Sequence, residues 1–450
     1  MFHAYPHNLT EVLLEKWYSD RIVVRSSNVH DEVLHDQWAE AIVIEELISA
    51  CYQTSMLREE ERPLRFRLIL RDPERFASEE GPPDGLHRLI FEKPRPFNDY
   101  ELRKLACAAD FYRSLIGVGV DYGGKLHIWG LIHSGPRWVQ AIRGGRQKFS
   151  SLPQSLVLYV TGPGHITVCK GSTTIAMLNA GKIITPSKSL FDSHWVRERH
   201  AEAYTEIWNH HHAARSRAKR PWAVLDRDFP YIIAQQVFKR IISIVCSSHH
   251  GGTIISLSPA RATEVLSANS SLYLKYPFTE EEPRNRLRTL ILKLMNTLAE
   301  RYGDPDQADL CVGWRDYITS NDDTLMLLDE AIFEYAHFIA GLTAVDGAVV
   351  LSQRQEVMGF GGMILGSLDK VSVVARSLDF EGESKALEPV DRAGMRHRAV
   401  YHLCNEMRDA LAIVISQDGD VNIVTWKNGI VTYWDVDPWV LTQVSLHNDN

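Results

Sequence analysis

Long hydrophobic runs are missing from this 450-residue sequence. No window of eighteen apolar residues occurs, and the nearest approach, residues 241–246, is short and lies between Lys239-Arg240 and His249-His250. A membrane-spanning helix needs about 20 consecutive, predominantly apolar residues, so the sequence argues against a membrane span. The N-terminal residues also lack the basic start and apolar core of a secretory signal. We therefore expect a cytoplasmic protein without membrane partners.

Cysteine is sparse, and positive charge is not in excess. The six cysteines are scattered without a CxxC pair, and several lie in apolar segments. This pattern predicts buried free thiols in a reducing compartment rather than disulfides. Lys and Arg number 49 against 57 for Asp and Glu, which gives a formal net charge of −8. Broad binding to nucleic acid or to an anionic membrane needs excess positive charge, so the balance disfavours both partners.

The residues that are present indicate a globular chain of more than one domain. Apolar residues make up 45% and charged residues 24% of the sequence, as in soluble globular proteins. The length suits two or three domains. Gly-rich turns at residues 123–124 and 162–164 lie between apolar runs, which predicts hairpins in a β-rich α+β region. Within that region, Asn98 offers an N-cap for a helix over residues 101–117.

A domain boundary is expected near Pro221. A polar helix over residues 189–218 precedes this proline, and proline cannot continue a helix. We therefore expect an N-terminal regulatory region at residues 1–220 and a second domain at residues 221–450.

The second domain alternates between helical and strand patterns. Residues 231–246 carry apolar side chains at four-residue spacing, which predicts a helix with one buried face. The strand TIISLS and a mostly helical stretch at residues 280–338 follow. The later strand candidates are GAVVLS, EVMGFGGMI, ALAIVIS and VNIVTW, with the helix RHRAVYHLCNEMRD between the second and the third. This alternation predicts an α/β fold.

Three polar segments stand at strand ends or at a helix start in this domain. They are Asp346-Gly347-Ala348, Gly394-Met395-Arg396-His397-Arg398 and Ser416-Gln417-Asp418-Gly419. An acid followed by residues with little or no side chain lets a ligand approach the backbone. Two guanidiniums and an imidazole at a helix N-terminus suit a polyphosphate. A carboxylate for a divalent metal beside cations for phosphate indicates phosphoryl or nucleotidyl transfer.

The order of these segments resembles the diadenylate cyclase domain. In that family, DGA follows an apolar approach, GxRHR opens a helix, and an apolar strand closes in a serine-acid element. HHGGTIISL is also similar to the family's first strand, and EVMGFGGMI to the strand after DGA. The resemblance covers about residues 222–450 and implies a central mixed β-sheet flanked by helices, with the stretch 280–338 expanded. The first half resembles the sensor regions of the DACNV type, which are attached to some bacterial members.

The resemblance implies a role for each site residue. Asp346 would bind Mg²⁺ or Mn²⁺ and help to prepare the ribose 3′-hydroxyl for attack, and Asp418 lies where the family usually has a second metal-binding acid. The triphosphate would be held by Arg396, His397 and Arg398. The remaining nucleotide contacts would come from Gly347, Ala348, Met363, Ile364, Gly394, Met395 and Ser416.

The resemblance also implies a substrate and an assembly. Two domains, each holding one ATP, would face each other and form cyclic di-AMP, so catalysis would need a homodimer or a higher oligomer. Met395 and Gln417 replace a usual threonine and a frequent glutamate, and Val345 replaces a usual histidine. A catalytically degenerate sensor of ATP or a cyclic dinucleotide is therefore an alternative, as is a cyclase with a different nucleotide product. Cys404, on the RHR helix, is expected to pack rather than act as a nucleophile.

Overall fold

The computed structural model describes most of the chain, in two compact units. The described residues are 3–23, 41–76, 86–111, 113–133, 152–171, 173–179, 181–185, 190–248, 250–266, 271–304, 306, 310–365, 371–417 and 419–436. The first unit ends at residue 185, and the second begins at Leu190. The second unit thus begins before the boundary expected at Pro221, because the helix His194–Ser216 packs against another helix of that unit, Arg286–Arg301.

The first unit is built on one large sheet. Its helices are α1 (Pro6–Val23), α2 (Ala41–Ser55) and α3 (Asp99–Ala108). Its strands are β1 (Arg58–Glu59), β2 (Arg62–Pro63), β3 (Phe66–Leu70), β4 (His87–Pro96), β5 (Ser114–Val120), β6 (Leu126–His133), β7 (Leu156–Gly162), β8 (His165–Lys170), β9 (Thr173–Asn179) and β10 (Lys182–Ile184). Eight of these strands form a sheet in the order β10-β9-β8-β7-β3-β5-β6-β4, in which only the β3–β5 pair is parallel.

One face of this sheet carries the main core of the first unit. Helix α1 packs against α2 and β9, and α2 packs against β7 and β8. Phe66 and Leu68 of β3 point into this core, together with Ile44 and Leu47 of α2. The strand side chains that alternate with Phe66 and Leu68 therefore lie on the opposite face.

The second unit is a mixed sheet between layers of helices. Its helices are α4 (His194–Ser216), α5 (Phe229–Ser248), α6 (Pro259–Val265), α7 (Glu281–Arg284), α8 (Arg286–Arg301), α9 (Trp314–Thr319), α10 (Asp323–Leu342) and α11 (Met395–Glu406). Its strands are β11 (Val224–Leu225), β12 (Gly252–Leu257), β13 (Leu272–Pro277), β14 (Cys311–Val312), β15 (Ala348–Ser352), β16 (Val357–Ile364), β17 (Val373–Ser377), β18 (Lys385–Pro389), β19 (Leu411–Ile415), β20 (Val421–Lys427) and β21 (Ile430–Val436).

The nine-stranded sheet of this unit has a core on each face. Its order is β13-β16-β15-β12-β19-β20-β21-β17-β18, with parallel pairs β12–β15 and β17–β21. Ile254 and Ile413 face a core shared with α5, α8 and α10, whereas Ile255 and Ala412 face one shared with α6 and α11. The structure therefore confirms an α/β fold with mixed sheets.

Several local predictions are confirmed, and others are corrected. All six cysteines are free, as predicted, but Cys107 and Cys311 are exposed rather than buried. Helix α5 buries its predicted face. This helix is the one described helix long and apolar enough to cross a membrane, but most of its residues are buried, as in a core helix. Helix α3 ends at Ala108, well before residue 117, because residues 114–120 pair with β3 and β6 instead.

Candidate functional site

The register of three neighbouring strands brings two of the polar segments to one edge of the second sheet. Strand β12 pairs in parallel with β15, so that Ile254 lies beside Val349. It pairs antiparallel with β19, so that Gly252 lies beside Ile415. The starts of β12 and β15 and the end of β19 therefore meet at the same edge. Asp346-Gly347, before β15, and the serine segment, after β19, both lie there.

Only glycine fits the backbone at position 347. Its φ is 109°, in a region that favours glycine. A Cβ at this position would lie 2.7 Å from the carbonyl carbon of Gly361 in the neighbouring strand β16. Ala348 pairs with Gly362, which places Met363 and Ile364, at the end of β16, beside the acid. The carboxylate of Asp346 and the side chain of Met363 (46% exposed) are open to solvent.

The arginine-rich helix is tied to the same edge through Arg396. Gly394 is the N-cap of α11, and the Nη1 of Arg396 donates to the carbonyl oxygen of Ile415 at 3.0 Å. A Cβ on Gly251 would lie 2.5 Å from that nitrogen, so glycine before β12 makes room for the guanidinium. The structure thus brings Arg396 to the strand ends that carry the acid and serine segments.

A second hydrogen bond fixes the imidazole of His397. Its Nε2 lies 2.8 Å from the Oδ1 of Asn422 in β20. The Nδ2 of Asn422 donates to Asp435 at 2.6 Å, so its oxygen is the atom that faces His397 and must accept. The hydrogen-bond network therefore places a proton on Nε2. Sequence reasoning missed Asn422 and Asp435, because neither residue belongs to a recognisable motif.

The start of α11 also supplies backbone donors. The first N–H groups of a helix have no intrahelical acceptor, and in α11 they belong to Met395, Arg396 and His397. The N–H of Arg398 is the first to bond within the helix, to Gly394 at 3.1 Å. The side chain of Arg398 is half-buried. These N–H groups and three basic side chains form a setting for an anion.

Ser416 is engaged in the turn that follows β19. Its hydroxyl accepts from the N–H of Asp420 at 2.9 Å, and its carbonyl accepts from the N–H of Gly419 at 3.2 Å. The hydroxyl hydrogen is not used in that bond and remains able to donate to a phosphate oxygen. Asp418, the second predicted metal ligand, lies outside the described residues.

The donor set suits a metal that arrives with its substrate. Among the described residues, no group of three or more His, Cys, Asp or Glu side chains could hold a metal ion. Mg²⁺ is commonly held by one or two carboxylates together with phosphate oxygens and water. The exposed carboxylate of Asp346, at the strand ends that Arg396 also reaches, is compatible with that mode. It does not fit a closed structural metal site.

Cys404 is part of the core rather than of the site. Its side chain is fully buried, and burial raises the pKa of its thiol to about 12. A thiol with that pKa is protonated at neutral pH and is a poor nucleophile.

A family model matches part of the first unit. Residues 35–133 match the family described as the probable sensor domain DACNV. The matched segment spans α2 to β6 in the first unit and includes none of the second. No curated protein and no solved structure matches the chain. The chain therefore carries a DACNV sensor domain in its N-terminal half.

Proposed function

We propose that the second unit is a diadenylate cyclase-like nucleotidyltransferase regulated by the N-terminal sensor region. It would condense two ATP into cyclic di-AMP and two pyrophosphates. The observation that carries this proposal is the meeting of Asp346, Arg396 and Ser416 at one sheet edge, although they come from separate parts of the sequence. The presence of a DACNV sensor domain supports it further, since the sequence resemblance pairs such sensors with this cyclase domain.

The basic helix start would hold the triphosphate. Arg396 uses one of its five N–H donors on Ile415, which fixes its direction while leaving donors for a phosphate. His397, held by Asn422, would face the ligand with the remainder of its ring. Arg398 and the first backbone N–H groups of α11 would supply further donors, and Ser416 would add a hydroxyl.

The acid segment would bind the ribose end of the nucleotide. Gly347 has no side chain, so the ligand could lie close to the backbone, and Met363 would offer an apolar surface to the base. Asp346 would hold Mg²⁺ or Mn²⁺ and help to prepare the 3′-hydroxyl. When bound, such a metal neutralises phosphate charge in the transition state.

The reaction implies an assembly of at least two copies. The 3′-oxygen of each ATP forms a bond to the α-phosphorus of the other ATP. The bond between that phosphorus and the oxygen that bridges the α- and β-phosphates breaks. Each 3′-hydroxyl releases its proton to solvent, and each of the two bond-forming steps releases one pyrophosphate. One unit with one nucleotide site holds half of the reactants. We therefore propose a homodimer or higher homo-oligomer as the active form.

The first test is product formation. Purified full-length protein is incubated with ATP and Mn²⁺, and cyclic di-AMP is sought by mass spectrometry. We expect product from the native protein and none from Asp346→Asn. Asp323→Asn, which removes an exposed carboxylate at the first turn of α10, is the matched control and should keep full turnover. Full turnover by Asp346→Asn would overturn the role given to that residue.

Two other functions are distinguished by the same sample. Met395 is 67% exposed at the first position of α11 and supplies no hydroxyl there, which favours a degenerate site that binds ATP or a cyclic dinucleotide without turnover. ATP binding by calorimetry without product would support that function. Met363 offers the base no hydrogen bond, which favours tolerance of another nucleotide, and a product from GTP but not ATP would support that one.

A further inference from the structure

A histidine enters the candidate site from the strand between the acid and serine segments. His250 comes two residues before β12, which lies between β15 and β19 in the sheet. Because β12 is parallel to β15 and antiparallel to β19, its start lies at the edge where the acid segment precedes β15 and the serine segment follows β19. His250 is therefore at the middle of that edge.

The residues after His250 lie close to both sides of the site. A Cβ on Gly252 would lie 2.7 Å from the Cβ of Thr343, in the turn that leads to the acid. A Cβ on Gly251 would lie 2.5 Å from the Nη1 of Arg396. The chain just after His250 thus touches the turn before the acid on one side and the basic helix on the other.

One ring nitrogen of His250 is engaged, and the other is available. The Nδ1 lies within hydrogen-bonding distance of the carbonyl oxygen of Gly251. A carbonyl oxygen can only accept, so Nδ1 donates, and the neutral ring then carries its lone pair on Nε2. The Nε2 has no hydrogen-bond partner among the residues that the structure describes, and the side chain is half-buried. The ring is therefore held in the tautomer that accepts a proton through Nε2.

The other titratable and charged side chains at this edge have different tasks. Asp346 would hold the metal, and the guanidinium of Arg396 has no lone pair to accept a proton. The Nε2 of His397 donates to Asn422 at the start of the basic helix. The carboxylate of Asp420, in the turn after β19, is exposed. Carboxylates ordinarily have a pKa of about 4 and imidazoles one of about 6.5, so an imidazole is the better proton acceptor near neutral pH.

We propose that His250 is the general base that removes the proton of the ribose 3′-hydroxyl. His250 has this role only if the second unit is the cyclase proposed above. The bond between the 3′-oxygen and its hydrogen breaks as that oxygen forms its bond to the α-phosphorus, and Nε2 of His250 accepts the proton. The imidazolium then passes the proton to water, which restores the neutral ring for the next turnover. A positioned general base contributes about 10²–10⁴-fold to a rate.

The test separates the chemical step from ATP binding in the full-length protein. Native protein and His250→Gln are incubated with saturating ATP and Mn²⁺, and cyclic di-AMP is quantified by mass spectrometry. We expect His250→Gln to lower kcat about 100-fold or more, while calorimetry shows an unchanged Kd for ATP. The kcat of the native protein should rise with pH through the range in which an imidazole titrates. The kcat of His250→Gln should lack that rise.

Two further variants complete the test. His194→Gln removes an exposed imidazole at the start of α4 and should keep the native kcat and pH profile. His250→Ala leaves space for added imidazole, which should restore part of the lost kcat.

The role of His250 is overturned if His250→Gln keeps the native kcat, or if its loss lies in the Kd for ATP alone. It is equally overturned if the pH dependence persists in His250→Gln, or if imidazole restores nothing to His250→Ala. Absence of product from the native protein would remove the cyclase function itself. Equal product from the native protein and His250→Gln would remove only the role of His250.

Discussion

The two units place their polar residues differently on similar sheets. The sheet of the second unit has an apolar core on each face, and its candidate site lies at the edge where β12, β15 and β19 meet. The sheet of the first unit has its larger apolar core on one face, and its other face buries Arg67 together with apolar side chains such as Ile69 and Val157. A sheet with an apolar core on each face can expose polar groups only at the ends of its strands, whereas the first sheet also buries a cationic side chain within one of its faces.

The largest expected effect contrasts the two faces of β3. Leu68→Ala removes a fully buried side chain from the main core and should lower the free energy of unfolding by about 2–5 kcal/mol. Arg67→Met, one residue away, should lower it by less, because methionine keeps most of the buried volume while the contacts of the charge are lost. Urea denaturation measures both. A loss of similar size from Arg67→Met would show that the charge stabilises the fold.

The next effect contrasts two histidines by their response to acid. Burial is the main cause that lowers the pKa of His200, on α4, from 6.5 to about 4. Between these pH values the unfolded state binds a proton that the folded state does not, so stability falls as pH falls. We expect a loss of about 2 kcal/mol from pH 7.5 to 5, measured by urea denaturation. His200→Leu should remove it.

His7, in the first unit, is the control for that experiment. Its pKa is raised, mainly by a hydrogen bond to Glu45. The folded state then binds the proton of His7 more tightly than the unfolded state does. The contribution of His7 to stability is therefore present at low pH and is lost as the pH rises through its raised pKa. His7→Gln should therefore leave the acid-induced loss in place. Disappearance of the loss in His7→Gln would assign the effect to the wrong histidine.

The smallest effect contrasts two asparagines. Asn422→Leu removes the hydrogen bonds to His397 and Asp435 and should cost about 1 kcal/mol of stability, with ATP binding weakened several-fold. Asn98→Ala removes the N-cap of α3. The Oδ1 of Asn98 accepts from the backbone N–H of Glu101 at 2.9 Å, so this change should cost a similar amount of stability. It should leave ATP binding unchanged. Titration calorimetry measures the affinity of both variants for ATP. Equal ATP affinities of the two variants would contradict the proposed site.

Much of the second unit could be predicted from the sequence because its buried strands are short apolar runs. GAVVLS, ALAIVIS and VNIVTW were all identified in this way, and the structure has β15, β19 and β20 there. Residues 371–393 give no such signal, yet they include the β17–β18 hairpin. Both strands are partly exposed; β17 pairs with β21, which follows much later in the chain, and β18 is the edge strand beside β17. An edge strand with mixed polarity is specified by its partners rather than by its own pattern.

The candidate sites were predictable to different degrees. The acid, the basic helix start and the serine are motif residues. Strand register brings the acid and the serine to one edge, and the hydrogen bond from Arg396 to Ile415 brings the helix start there. Asn422 is an ordinary polar residue of a strand, and its role depends on a neighbour from another element. Arg65 and Arg67 belong to the alternating pattern RFRLILR, which is typical of a strand with one solvated face. That Arg67 is buried depends on tertiary packing, which a single strand does not encode.

The hydrogen bond from Arg396 to Ile415 has a consequence for how the chain folds. It joins a helix start to a strand end, and the adjoining Gly251 and Gly347 come from segments far away in the chain. Contacts between distant segments form slowly, because closing the long loop between them costs chain entropy before any stabilising contact is made. The proposed nucleotide site should therefore be among the last parts of the second unit to become ordered during refolding. ATP-binding capacity should then return later than the far-ultraviolet circular dichroism of the helices.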